Sequence, residues 1–338
     1  MKIENTSSNV NSFPNYAYFF NQFIHPIIVL FGIAGNIWIL FTLIFGRVKI
    51  SKTTNFYYLI LGFSDLCIVT NTFVWGDICD GLWLWTNGKF YFCFDSLSDL
   101  SCIIMNLWYY LSEIISNYSL VALSIERLIA VCYPLRAKSI LTREFTFYLL
   151  IFLLAPFLLL YSLLIPFSSR IIPYIETGTF VCHIDYNSIF GKIFNFSMPI
   201  IVLGLHTIID FIISFVLFFK LYLSRRNSDL ISKDQKMSKE LIATLVLLML
   251  CMCTMVIYGL TFICYIGTAI FDYFPIVSEQ VSDHAHVLRH MFLSLTALPH
   301  SNNILIYLAL IPSFRHSAFC KLYKEKTTTT RSTIKSDQ

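Results

Sequence analysis

The chain has 338 residues, is 57% hydrophobic and only 13% charged, and carries 32 Phe and 19 Tyr, with a mean hydropathy of +0.69. A soluble domain is roughly one quarter charged, so this chain lacks the polar cover of an aqueous globule. The same figures exclude a disordered chain, 12 Gly and 10 Pro exclude a collagen-like one, and a net charge of +4 is too small to argue for nucleic acid.

Spanning a bilayer as a helix takes about 20 apolar residues, because lipid cannot satisfy exposed backbone amides. Seven stretches qualify, at 23–45, 56–76, 99–125, 146–166, 195–219, 241–270 and 288–311. They are continuous runs and lack the two-residue alternation of a membrane barrel, so the fold class is an all-α membrane protein. No internal repeat is visible.

With residues 1–22 as an extracellular tail, the segments on the outer side hold five Lys and Arg and those on the inner side hold nineteen. This split predicts an extracellular N-terminus and a cytoplasmic C-terminus in a multi-pass protein of the plasma membrane. The first run has no basic flank and no small-residue cleavage site, so it reads as a retained helix. Asn5-Thr6-Ser7 is a glycosylation sequon on the outer tail, whereas Asn117-Tyr118-Ser119 lies inside a span. Cys79, Cys93, Cys102 and Cys182 fall on the oxidising side, and spacing alone leaves three pairings open. Residues 326–338 form a polar, Thr/Ser-rich tail of disordered composition.

Ionisable groups inside a span are costly and ask for a partner or a purpose. Asp65 sits near the middle of the second span with no basic neighbour in sequence. Its alternatives are a protonated, hydrogen-bonded acid and a bound sodium ion. In the third span Tyr109, Glu113, Ser116, Leu120, Leu123 and Arg127 follow steps of four and three and share one helix face. Arg127 lies about 27 Å along the axis from Tyr109. An internal bundle face accounts for the Tyr and Ser, but not for Glu113 high in the span or for the adjacent Glu126-Arg127 pair.

Ser124-Ile-Glu-Arg-Leu-Ile-Ala-Val-Cys-Tyr-Pro-Leu135 resembles the cytoplasmic end of helix three in rhodopsin-like (class A) G-protein-coupled receptors. Gly35-Asn36 resembles that family's first-helix asparagine, Leu61 to Asp65 its second-helix motif, and Asn303-Ile-Leu-Ile-Tyr307 its seventh-helix Asn-Pro-x-x-Tyr. Pro312 to Tyr323 resembles the short amphipathic helix that follows, with Phe314, Ala318, Phe319 and Leu322 on one face. The match covers nearly the whole chain and rests on the joint order and spacing of these motifs.

The resemblance implies a seven-transmembrane helix bundle over 23–311 with an eighth helix over 312–325. It implies coupling residues Glu126, Arg127, Asn303 and Tyr307, with Glu240 as a second acid against Arg127. It further implies a polar core of Asn36, Asp65, Ser116 and Asn303, with Na+ at Asp65 as one alternative, and palmitoylation of Cys320 beside the alternative of a free thiol. The family's cysteine precedes the helix-three Arg by 25 residues, which implies Cys102 paired with Cys182 and leaves Cys79 and Cys93 to close a smaller loop. The departures are Leu128 after Arg127, Ile304 in place of the seventh-helix Pro, no Trp in the fourth span, and a sixth span without its usual Trp and Pro. Gly259 is then the candidate hinge.

No Lys occurs in the seventh span, which rejects an opsin, and Tyr109 and Tyr110 stand where amine receptors place an Asp. The outer loops carry an acidic excess and a first loop rich in Trp83, Trp85, Phe90, Tyr91, Phe92 and Phe94, which would attract a basic ligand. The third-helix segment is also similar to invertebrate neuropeptide receptors of the FMRFamide type. The expected ligand is therefore an extracellular peptide, met by Tyr109, Tyr110, Glu113 and Arg289, and the expected inner partner is a heterotrimeric G protein. The alternative for Glu113 is an internal pair, with Arg289 or a histidine such as His290. The alternatives are a chemosensory or other small-molecule receptor and, in another class, an ion transporter or channel using Asp65, Glu113 and Asp210. Enzymatic and metal functions have no support, since the histidines lack ligand spacing and His284-Ala-His286 reads as solvated.

Overall fold

The computed structural model describes residues 19–46, 51–81, 86, 92–174, 179–185, 187–228, 239–273, 287–289, 291–311 and 314. Asn5, His284, His286, His290, Cys320, most of the first aromatic loop, the expected eighth helix apart from Phe314, and the terminal tail lie outside them.

Helix α1 (His25–Phe45) is preceded by a π-helical turn, Phe20–Ile24. Helix α2 (Lys52–Thr72) starts at Ser51, whose hydroxyl accepts from the Thr54 amide, and runs on as a π-helical stretch, Phe73–Gly81. Helix α3 (Asp99–Cys132) opens with a reciprocal capping box between Ser98 and Ser101. It ends before Tyr133-Pro134, because the residue preceding a proline is pushed out of helical backbone. Its 34 residues make it about 51 Å long, seven residues beyond the apolar run 99–125. Helix α4 (Pro134–Ile140) follows, and then α5 (Arg143–Ser168), capped by Thr142 and containing Pro156 and Pro166. Helix α6 (Ile189–Met198), the π-helical Pro199–Leu205 and α7 (His206–Ser228) make one continuous rod. Helix α8 (Lys239–Tyr273) has no interior proline. Residues 287–289 and 291–295 are helical and lead to α9 (Ala297–Ser301) and α10 (Asn303–Leu310).

Among the described residues six helices are long and apolar enough to cross a membrane, and α9 with α10 and the residues before them fills the seventh segment. Exposure is inverted relative to a soluble protein: Phe152 is 77% and Phe196 73% exposed, while Asp65 and Glu113 are each 1% exposed. A lipid-facing surface requires that arrangement. Helix α3 is central, packing on α2, α5 and α7. One apolar cluster, with Tyr57, Tyr58, Leu123, Leu217, Leu247, Tyr307 and Phe314, surrounds the Arg127 end. A second, with Ile114, Tyr118, Tyr161, Phe194, Met198 and Tyr258, surrounds the other half.

Sequence periodicity did not reveal a two-stranded antiparallel hairpin of β1 (Ser169–Tyr174) and β2 (Thr179–Ile184), in which Ile171 pairs with Cys182. The hairpin is fastened to the start of α3 twice. The Ile171 amide donates to Asp99 Oδ1 at 2.9 Å, and Cys182 is disulfide-bonded to Cys102. Cys79 is bonded to Cys93, so both pairings are those the resemblance implies. The Asp95 carboxylate beside the smaller loop is buried, which pushes its pKa above the usual carboxylate range.

The Cys102–Cys182 bond closes an 80-residue separation, and a crosslink of that kind stabilises by about 2–4 kcal/mol. The double variant Cys102→Ala/Cys182→Ala is expected to lower the thermal midpoint of the purified protein and its yield at the cell surface, as read by a thermal-shift assay and surface labelling.

Candidate functional site

Polar residues of seven helices converge at the centre of the bundle. Asp65 on α2 accepts from Ser116 Oγ of α3 at 2.5 Å and lies 2.7 Å from His300 Nδ1 of α9, both at Oδ1, while Asn303 of α10 donates its amide to Oδ2. One helical turn from Ser116, Glu113 accepts from Tyr258 of α8 at 3.0 and 2.7 Å, from Tyr109 at 3.2 Å and from Asn117 at 3.3 Å. His300 Nε2 stands 3.3 Å from Glu113 Oε2 and 2.7 Å from the Tyr258 hydroxyl. The imidazole therefore bridges the two acids. Asn36 of α1 donates to the His300 carbonyl at 2.8 Å, fixing the backbone that carries the ring. His206 of α7 closes the far side, edge to face with Tyr258 at 4.9 Å.

Asn36, Asp65, Ser116 and Asn303 thus lie in one cluster. Glu113 belongs to the same cluster, and its internal partner is His300; Arg289 is elsewhere. Sequence reasoning missed His300, Tyr258 and Asn117 as members. The signal for His300 was its position three residues before Asn303, which places both on one side of a helix, opposite an acid without a basic neighbour.

Beside this centre lies an aromatic layer. Tyr109 is 6.3 Å from Trp75 and 5.1 Å from Tyr110, ring to ring, and Tyr110 meets Phe194 edge-on at 5.0 Å. The Arg289 guanidinium sits 5.3 Å over the Tyr265 ring and donates to Thr268 Oγ1 at 3.4 Å. Arg289 thus sits against Tyr265 and Thr268, apart from the polar centre that holds Glu113. Glu113 is covered by four side chains, while Arg289 is held on α8 and is only partly buried.

At the other end of α3, Arg127 Nη2 is 3.2 Å from Glu126 Oε1 and also donates to Thr54 Oγ1. Thr53 and Thr54 donate to the same Glu126 oxygen at 3.2 and 3.4 Å. Two hydroxyls at the start of α2 thus complete the pair, a partnership across 73 positions that local sequence cannot show; the side chain of Glu240 lies outside the described residues. Tyr307 packs on Tyr58 at 4.9 Å and on Phe314 at 5.8 Å, ring to ring. Asp210 is buried and accepts from Ser124 at 3.0 Å. The Cys79, Cys93 and Asp95 cluster has the compactness of a metal site, but its two sulfurs are joined to each other.

Removing a hydroxyl from a buried acid leaves desolvated oxygen unsatisfied, at a cost of about 1–3 kcal/mol. Tyr258→Phe is accordingly expected to lower the thermal midpoint, and more than Tyr161→Phe, whose hydroxyl has a single 3.4 Å contact to Ser197.

The amino-acid sequence is matched in known proteins. The family described as "7 transmembrane receptor (rhodopsin family)" matches residues 35–307. Galanin receptor 2a of Danio rerio is 28% identical over 193 residues, covering 54% of this chain and 48% of that protein. Galanin receptor type 2 of Homo sapiens is 27% identical over 190 residues, covering 53% of this chain and 44% of that protein. The chain spans about half the length of the curated relatives it matches. The family match runs from the asparagine-bearing turn of α1 to Tyr307 of α10 and encloses the whole polar centre, so the chain belongs to the rhodopsin family of seven-transmembrane receptors.

Proposed function

We propose that this receptor resides in the plasma membrane with its N-terminus outside and its C-terminus in the cytoplasm, binds an extracellular peptide, and activates a heterotrimeric G protein. The observation that carries this reading is the single rod α3. At the end where the disulfide-pinned hairpin sits it presents the half-buried Tyr109 and Tyr110, and at the other end it presents Arg127 held by Glu126. The nineteen-to-five division of basic residues supports the orientation, and the names of the matched galanin receptors support a peptide ligand.

The peptide meets the aromatic layer of Tyr109 and Tyr110 first. Arg289, stacked on Tyr265, offers a cation to a carbonyl or carboxylate of the ligand. A basic side chain of the peptide reaches Glu113 only by displacing His300 or Tyr258 from it. Agonist shifts the population toward a state in which the Arg127 end of α8 moves outward and Arg127 leaves Glu126 and Thr54 for the G protein. Lys and Arg of the inner segments anchor the bundle to anionic lipid. Asn5 carries the glycan, and Cys320 a palmitoyl chain beside the membrane.

Screening amidated peptides with a nucleotide-exchange readout tests the proposal; ion flux without agonist-dependent exchange would overturn it in favour of a transporter. With an agonist in hand, Arg127→Ala is expected to abolish stimulated exchange at normal surface expression, and Glu126→Ala to raise basal exchange. Gly259 has nothing within 4 Å of the position its β-carbon would occupy, so Gly259→Ala fits without repacking and stiffens α8 by about 1 kcal/mol. That variant is expected to keep or raise the thermal midpoint while lowering stimulated exchange.

A further inference from the structure

Asp65 and Glu113 are both buried where an unpaired carboxylate is untenable, and among the described residues neither has a Lys or Arg within 4 Å. What lies between them is one imidazole, with Nδ1 2.7 Å from Asp65 and Nε2 3.3 Å from Glu113. Tyr258 stands against the same place, its hydroxyl 2.7 Å from both Glu113 Oε2 and His300 Nε2. The ring and this hydroxyl together fill the space between the two acids.

A small hard cation at Asp65 would be ligated by its carboxylate and by neighbouring hydroxyl and amide oxygens. Ser116 Oγ donates to Oδ1, and Asn303 turns its amide N–H toward Oδ2. His300 Nδ1 lies 2.7 Å from Asp65 Oδ1 and 3.4 Å from Ser116 Oγ, in the space an ion touching both would need. We infer that the His300 imidazole occupies the place a sodium ion would take between Asp65 and Glu113, so the core of this receptor is indifferent to sodium. A tethered ring does not exchange with solution. It moves only with α9, whose carbonyl at this residue is held by Asn36, and it joins the acid beneath the aromatic layer to the acid at the centre.

The test needs no peptide and leaves the proposed ligand untouched. The full-length protein is purified into lipid nanodiscs, and its thermal midpoint is followed as sodium chloride replaces choline chloride at constant ionic strength. The wild type is expected not to shift, whereas His300→Ser, which supplies a hydroxyl and vacates the ring's volume, is expected to gain a sodium-dependent rise that Asp65→Asn in the same background removes. A sodium-dependent rise in the wild type that Asp65→Asn abolishes would overturn the inference. So would a folded His300→Ser protein that stays indifferent to sodium, since the imidazole would then not be what excludes the ion. Should His300→Ser fail to fold, His300→Asn is judged by the same two outcomes.

Discussion

Two carboxylates buried in the middle of a bundle that faces lipid dictate most of what surrounds them. Each ionised acid in a low-dielectric interior must be neutralised and hydrogen-bonded at once, and here one imidazole contacts both. The remaining donors come from separate segments: Ser116 and Asn117 from α3, Tyr258 from α8 and Asn303 from α10, while Asn36 of α1 secures the histidine's backbone. The centre thus works as a polar knot through which helices distant in sequence are held in register. In a bilayer, where apolar surface gives no preference for one helix over another, such contacts and close packing decide which faces meet.

The packing follows the same logic on a smaller scale. Gly35 faces Ile304, whose Cγ2 lies 2.8 Å from where a β-carbon would stand, so α1 approaches the start of α10 closely enough for Asn36 to reach His300. At the Arg127 end the pattern repeats with a different composition: a guanidinium, a carboxylate and two threonine hydroxyls from the first turn of α2. There the acid and the base are neighbours in sequence, and α2 supplies the two hydroxyls that fasten the pair.

Much of this was legible in the amino-acid order. Runs of twenty apolar residues have few alternatives to membrane helices, and lone acids within them mark the functional interior; Asp65, Ser116, Asn36 and Asn303 meet as their motifs imply. Glu126 and Arg127 needed no inference beyond adjacency. What was not legible depended on which helix faces which. For Glu113 an internal histidine partner was one reading, but which histidine was not legible, because its four partners come from two turns of its own helix and from residues 145 and 187 positions away. His300 looked unremarkable because its role depends on facing two acids from other helices. The β hairpin escaped periodicity because Arg170 to Tyr174 and Thr179 to Ile184 are short and mixed in polarity.

Helix interruptions show where the family pattern is replaced by other means. Ile304 stands at the usual proline position, yet the seventh segment still breaks at Asn302, between α9 and α10. The break does not need a missing amide hydrogen; the His300 carbonyl is instead drawn away by Asn36. Helix α8 has no such break, and with no interior proline its weakest point by backbone propensity in the middle of the span is Gly259. Its immediate predecessor is Tyr258, whose hydroxyl touches Glu113 and His300. A bend at Gly259 would move the tyrosine that contacts both members of the buried bridge. The residue of greatest backbone freedom in the middle of α8 and the residue that ties α8 to the polar centre are therefore consecutive, and no proline is needed to place them together.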